Sequence, residues 1–95
     1  MSAVLNKEEC WHLQLYVAGQ SPKSLRAVTN LTSLCEGRLR KPYEIEVIDL
    51  VQHPMLARSE DILATPTLVR RQPAPVRRLI GDLSDTERVV VKLGL

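Results

Sequence analysis

Two cysteines, two histidines and two serines near a predicted turn are the side chains of this chain that could support catalysis. Cys10 and Cys35 lie far apart in the sequence, so they form neither a CxxC motif nor a disulfide framework. His12 and His53 lack the close spacing of a local metal motif. We therefore expect no catalytic site, no bound metal and no cofactor.

The two serines belong to the segment AGQSPKS, residues 18–24. Ser21 followed by Pro22 is a favourable N-cap and first-turn pair for a helix. Neither Ser21 nor Ser24 has an evident base partner, so we interpret both as capping residues. Cys35 is predicted to be a small buried hydrophobe on the apolar side of a helix. Cys10 precedes the first strand and is expected at the surface.

The hydrophobic periodicity predicts the elements that hold these residues. Leu13, Leu15 and Val17 alternate along a strand, and a helix of 22–36 then runs to a stop at Gly37. The remaining pattern predicts a strand at 43–49, a weak helical stretch at 53–62, strands at 67–71 and 76–80, and a helix whose capping box starts at Ser84. The first two strands should be parallel and the last two antiparallel.

The order β-α-β-α-β-β-α predicts an α/β, thioredoxin-like fold, with residues 1–95 as one domain. Enzymes of that fold carry a nucleophilic cysteine at the first βα turn, where the helix N-terminus lowers the thiol pKa. This turn contains no cysteine. The sequence therefore favours a binding module over a redox enzyme.

The C-terminal half is locally ambiguous. Val89, Val90 and Val91 are β-branched and suit a strand as well as a helix, and 52–62 is only weakly periodic. A C-terminal half of this kind can support two packings of similar free energy. The favoured interpretation is an ordinary helix in which tertiary packing accommodates the valines.

The charges form a two-signed surface. The net charge is +2, too mild to indicate nucleic acid, and only 3% of residues are aromatic. Acidic residues dominate 44–61, whereas 70–78 holds four arginines and no acid: Arg70, Arg71, Arg77 and Arg78. These arginines either discourage aggregation at an exposed edge or dock an acidic partner. No apolar run has the length of a membrane span, and the first ten residues lack a signal peptide's apolar region, so we expect a cytoplasmic protein.

Five stretches together resemble the KaiB family of circadian clock proteins. They are LYVAG (15–19), SLRA (24–27), VIDL (47–50), ILATPTL (62–68) and PVRRLIGDLSD (75–85). The resemblance implies a non-catalytic adaptor that binds the hexameric KaiC ATPase and regulates its cycle. It also implies two folds, namely a ground state that forms dimers or tetramers and a thioredoxin-like monomer that docks on KaiC.

The resemblance further assigns roles to particular residues. Pro66, Pro73 and Pro75 correspond to the switching region, and Arg26, Arg77 and Arg78 to positions implicated in assembly or partner contact. Cyanobacterial clock members usually have lysines where this chain has Glu46 and Asp61. We therefore hypothesise a homolog from a non-clock or simplified system that is paired with its own KaiC-like ATPase. The alternatives are a divergent thioredoxin-like redox or thiol-transfer protein and, more weakly, a small nucleic-acid binder.

Overall fold

The computed structural model describes residues 10–95, which form one four-stranded sheet and three helices. The strands are β1 (Trp11–Val17), β2 (Tyr43–Asp49), β3 (Thr67–Gln72) and β4 (Arg77–Ile80). The helices are α1 (Pro22–Arg38), α2 (Pro54–Ser59) and α3 (Thr86–Leu93). The predicted order of elements is confirmed, with boundaries that differ by a few residues.

The sheet has the order β2-β1-β3-β4. β1 and β2 are parallel and β3 and β4 are antiparallel, as the sequence predicts. β3 is also antiparallel to β1. Leu15 lies opposite Val47 on β2 and Leu68 on β3, which fixes the register across the centre of the sheet. This is the mixed sheet of a thioredoxin-like fold.

The two faces of the sheet bury very different amounts of apolar surface. One face packs on α1 and α3, because the alternating residues of β1 point to that side. Its core consists of Trp11, Leu13, Leu15, Val17, Ala27, Leu31, Cys35, Leu39, Leu68, Leu79, Leu83, Val89 and Leu93. Among residues 10–95, the buried apolar cluster on the other face consists of Tyr16, Ile48, Ile62 and Val69, packed against Leu50 and Leu56. The α1/α3 face therefore supplies most of the hydrophobic stabilisation.

Helix α1 begins as predicted and ends later than predicted. The Ser21 hydroxyl caps it by accepting a hydrogen bond from the Ser24 N–H. The predicted stop at Gly37 is wrong, because Gly37 lies within the helix and the cap residue is Leu39, whose N–H bonds to the Cys35 carbonyl. Burial of Leu39 in the core holds the two additional helical residues in place.

Helix α3 is capped one residue later than predicted. Asp85, and not Ser84, is the N-cap, since its carboxylate accepts from the Arg88 N–H. Leu83 is buried and has a positive φ of 65°, which turns the chain so that Asp85 reaches the cap position. Val89, Val90 and Val91 are helical, with Val89 buried and Val91 exposed, so tertiary packing overrides their strand preference. In residues 10–95 no helix combines the length and apolar character that a membrane crossing requires.

Candidate functional site

The turn between β1 and α1 is where a redox enzyme of this fold has its cysteine. Here the hydroxyls of Ser21 and Ser24 are hydrogen-bonded to each other at 2.9 Å. The Ala18 N–H donates to the Ser24 hydroxyl at 3.4 Å, and Ser24 is buried. Both hydroxyls thus serve the geometry of the turn, which agrees with the capping interpretation.

The two cysteines have different environments. Cys35 is buried in the α1/α3 core, and burial together with the charge of Glu36 raises the pKa of its thiol to about 11. A thiol with that pKa is almost fully protonated at neutral pH and is a poor nucleophile. Cys10 is half-buried, and its Sγ lies 3.8 Å from the Trp11 carbonyl oxygen. Within residues 10–95, no three His, Cys, Asp or Glu side chains are grouped so as to hold a metal ion.

Asp49, at the end of β2, joins two turns at the carboxyl end of the parallel strands. Its Oδ1 accepts from the Gly19 N–H and from the Val51 N–H, each at 2.9 Å. These bonds stabilise the carboxylate and lower its pKa, that of Gly19 contributing most. Asp49 therefore fixes the β1–α1 turn relative to the β2–α2 turn.

Arg26 lies on the exposed side of α1 and contacts the segment between β4 and α3. Its Nε is 3.3 Å from Oδ2 of Asp82, and the Asn30 side chain donates to the Asp82 carbonyl at 2.8 Å. Hydrogen bonds to Ser84, followed by that of Arg26, lower the pKa of Asp82. Arg26 thus helps to hold this segment on α1, a local role that sequence reasoning missed.

The two depressed carboxyl pKa values predict acid sensitivity. The unfolded chain binds protons at Asp49 and Asp82 at a higher pH than the folded chain does, so this stabilisation is present above the ordinary aspartate pKa and is lost below it. We expect the melting temperature to fall as the pH drops from about 5 towards 2. Circular dichroism melts should show a shallower fall for Asp49→Asn/Asp82→Asn; an identical slope would contradict the assignment.

The four arginines of the hairpin are divided between the faces of the sheet. Arg70 and Arg77 are cross-strand neighbours on the α1/α3 face, whereas Arg71 and Arg78 lie on the α2 face. The prediction that adjacent arginines point to opposite faces is confirmed.

The interpretation of Arg70 as an exposed edge residue is wrong, since only 5% of its surface is exposed. Its Nη1 donates to the Leu93 carbonyl at 2.5 Å and its Nη2 to the Pro75 carbonyl at 2.8 Å. The guanidinium also lies over the Trp11 ring, 5.2 Å from the centroid. Burial, and secondarily the charge of Arg77, lower the pKa of Arg70. Arg70 is buried because a helix end and a loop both offer it carbonyl oxygens.

On the α2 face, Arg71 and Arg78 hold the segment that follows α2. Arg71 forms an ion pair with Glu60, and Arg78 donates to the carbonyls of Glu60 and Asp61 at 2.9 and 3.2 Å. This segment leads to Leu63, which is 89% exposed. Two arginines therefore fix a loop that presents an apolar side chain to solvent.

An open groove of about 410 Å³ lies beside this loop on the α2 face. It is lined by Gln14, Tyr16, Glu46, Ile48, Leu56, Glu60 and Arg71. Gln14 connects its two sides, because its Oε1 accepts from the Arg71 Nε at 2.5 Å and its Nε2 donates to the Glu46 Oε1 at 3.0 Å. The acidic segment and the arginines are visible in the sequence. No sequence pattern indicates that Gln14 joins them across three strands.

The three prolines of the expected switching region lie at different ends of the β3–β4 hairpin. Pro66 is buried before β3, and its carbonyl accepts from the Gly81 N–H at 3.0 Å. Pro73 and Pro75 lie in the connector, where the Pro75 carbonyl accepts from Arg70. The peptide bonds that precede all three prolines are cis. The structure does not bring Arg26, Arg77 and Arg78 into one cluster, because Arg77 and Arg78 lie on opposite faces of the sheet and Arg26 is bonded to Asp82.

Comparison with known proteins gives matches over nearly the whole chain. The family model described as the KaiB domain matches residues 14–95. A circadian clock oscillator protein KaiB of Prochlorococcus marinus (strain MIT 9313) is 47% identical over 91 residues, which is 96% of this chain and 76% of that protein. The KaiB of Parasynechococcus marenigrum (strain WH8102) is also 47% identical, with 96% and 88% covered.

Solved structures match the same fold. The N-terminal domain of Synechococcus elongatus SasA aligns with a TM-score of 0.73 and 26% identity, over 90% of this chain and 85% of that one. Mitochondrial thioredoxin 3 of Saccharomyces cerevisiae aligns with a TM-score of 0.70 and 18% identity, over 97% and 85%. The thioredoxin likeness concerns the fold alone.

Proposed function

This chain belongs to the KaiB family of circadian clock proteins, and on that premise we propose that it is a non-catalytic adaptor of a KaiC-type ATPase hexamer. It binds the hexamer and regulates its ATPase and phosphorylation cycle, in a circadian or related timing and stress response. It acts as a single domain of residues 1–95 in the cytoplasm and self-associates when not bound.

The observation that carries the proposal is the similarity to KaiB proteins over 96% of the chain, together with a thioredoxin-like fold in which the β1–α1 turn has no thiol. The hydroxyls of that turn are bonded within it, and the Cys35 thiol is buried with a raised pKa. These features favour binding over thiol exchange. Nothing in the geometry of residues 10–95 favours the redox alternative.

The proposal includes a change of fold in the C-terminal half. Pro66, Pro73 and Pro75 are the proposed switch residues; Pro66 precedes the β3–β4 hairpin, and Pro73 and Pro75 lie in its connector. The same hairpin is linked to α3 through Arg70 and Leu93, so a rearrangement of one element must break a contact of the other. A second set of slowly exchanging NMR peaks would support the switch, and one set under all conditions would count against it.

Binding is tested by size-exclusion chromatography and native mass spectrometry with a KaiC-type hexamer, in ATP and in ADP. We expect co-elution of this chain with the hexamer. Replacing Arg77 with alanine should weaken binding by about 10- to 100-fold, because a charge-assisted hydrogen bond contributes about 1.5–3 kcal/mol. Arg40→Ala is the matched control, since Arg40 is exposed in the α1–β2 loop.

Failure of the wild-type chain to co-elute with any KaiC-type hexamer would overturn the proposed function. Insulin reduction that is lost on Cys10→Ser/Cys35→Ser would instead revive the redox alternative.

A further inference from the structure

The α2 face of the sheet is only partly covered in residues 10–95. The short helix α2 packs on Tyr16 and Ile48 through Leu56, near the carboxyl ends of β1 and β2. Polar side chains occupy this face on the amino-terminal halves of β1 and β2 and at the end of the neighbouring β3. We call this surface the acidic sheet face, and its residues are His12, Gln14, Glu44, Glu46 and Arg71. Glu44 and Glu46 are exposed, and no described element packs over them.

The charge of this face is negative. Glu44 and Glu46 are two residues apart on β2 and so point to the same side. Glu60 and Asp61 border the face at its other end. The positive charges of Arg71 and Arg78 are already engaged, the first with the Glu60 carboxylate and the second with two backbone carbonyls. The carboxylates on β2 are therefore the groups that remain for a partner.

The Glu46 carboxylate is oriented by neighbouring side chains. Its Oε1 accepts from Gln14 at 3.0 Å and lies 3.6 Å from the His12 Nε2, so Oε2 is left for a donor from outside the chain. Gln14 is fixed in turn by Arg71 and by the Tyr16 hydroxyl, which donates to it at 3.2 Å. An acceptor that is already oriented loses little side-chain entropy on binding.

The groove also offers apolar surface beside the charge. Tyr16 and Ile48 lie buried at its base, and the half-buried Leu56 is the apolar side chain that keeps exposed surface next to Glu46 and Glu60. Lysine and arginine side chains match such a surface, because their methylene stems pack on apolar groups while the charged end reaches a carboxylate.

We propose that the acidic sheet face docks a basic segment of the partner ATPase, one that carries lysine or arginine next to an apolar side chain. This inference rests on the proposed function and adds the chemistry of the partner. Opposite charges across such a contact steer association and exclude partners whose docking surface is acidic.

The test compares charge reversal on this face with the same reversal elsewhere. Glu44→Lys/Glu46→Lys should weaken binding to the KaiC-type ATPase by at least about 30-fold and flatten the dependence of affinity on salt. The control Glu36→Lys/Glu87→Lys changes the net charge by the same amount at exposed positions of α1 and α3. Its affinity for the ATPase should stay within about threefold of wild type. Glu44→Gln/Glu46→Gln is a milder change that keeps a hydrogen-bond acceptor at each position. It should lower the affinity for the ATPase by about three- to tenfold.

Equal affinities of both lysine variants would overturn the acidic sheet face while leaving the adaptor function intact. If the wild-type chain binds no KaiC-type ATPase, the proposed function fails. The acidic sheet face is then tested separately with a basic peptide. The probe is a synthetic peptide of alternating lysine and leucine, followed by amide NMR shifts. Shifts confined to residues 12–16, 44–48 and 71 would support the docking surface, and scattered or absent shifts would contradict it.

Discussion

Replacing Arg70 with alanine is expected to lower the free energy of unfolding by about 2–4 kcal/mol, because buried acceptors lose their donor and a side chain leaves the core. Arg70 donates to Leu93, the last residue of α3, and to Pro75 in the hairpin connector. It also covers the ring of Trp11. One side chain therefore ties β1, β3, the connector and α3 together. Urea unfolding followed by circular dichroism measures the change.

Arg77→Ala is the control for this experiment. Arg77 is the cross-strand neighbour of Arg70 and is exposed, so its removal should change stability by no more than about 0.5 kcal/mol. Arg70→Met keeps much of the volume but no donor, and it separates packing from hydrogen bonding. Stability losses that are equal for Arg70→Ala and Arg77→Ala would show that the buried contacts contribute nothing.

Leu68→Ala is expected to cost about 2–5 kcal/mol of unfolding free energy, the range for a large-to-small change in a packed core. Leu68 lies in β3 with none of its surface exposed, directly opposite Leu15 on β1 and Leu79 on β4. Its loss leaves a cavity at the centre of the α1/α3 core, where the sheet cannot easily collapse. Thermal and urea unfolding should both report the loss.

Leu63 provides the matched comparison, since it is the same residue type in the same ILATPTL stretch. It is 89% exposed, so Leu63→Ala should stay within about 0.5 kcal/mol of wild type. A large loss of stability from Leu63→Ala, or a small one from Leu68→Ala, would contradict the exposure of Leu63 and the burial of Leu68.

The periodic elements were predictable because their causes are local. Alternation along β1 correctly marks Leu13, Leu15 and Val17 as buried, and Ser21 with Pro22 correctly marks the start of α1. Local signals fail where two neighbouring residues are equally suitable as a helix cap. Ser84 and Asp85 are both good N-caps, and the choice depends on the burial and positive φ of Leu83. The end of α1 also depends on burial. Gly37 predicts a helix stop, but the helix continues to Arg38 because Leu39, the cap residue, is buried in the core.

The candidate site was less predictable because its contacts join distant parts of the chain. The arginines were visible in the sequence, but the burial of Arg70 depends on a helix end 23 positions away. The bond between Arg71 and Gln14 spans 57 positions, and no pattern within either strand indicates it. Whether an arginine is structural or available to a partner is decided by which acceptors the fold brings to it.

The unequal burial on the two faces of the sheet has a consequence for how such a protein can diverge. The residues that hold the fold together lie mainly on the α1/α3 side, whereas Glu44 and Glu46 are exposed on the other. Exposed positions tolerate a change of charge with little effect on folding. A lineage can therefore reverse the charge of the acidic sheet face in single mutational steps without passing through unstable intermediates. Separate partner pairs could arise in this way from one scaffold.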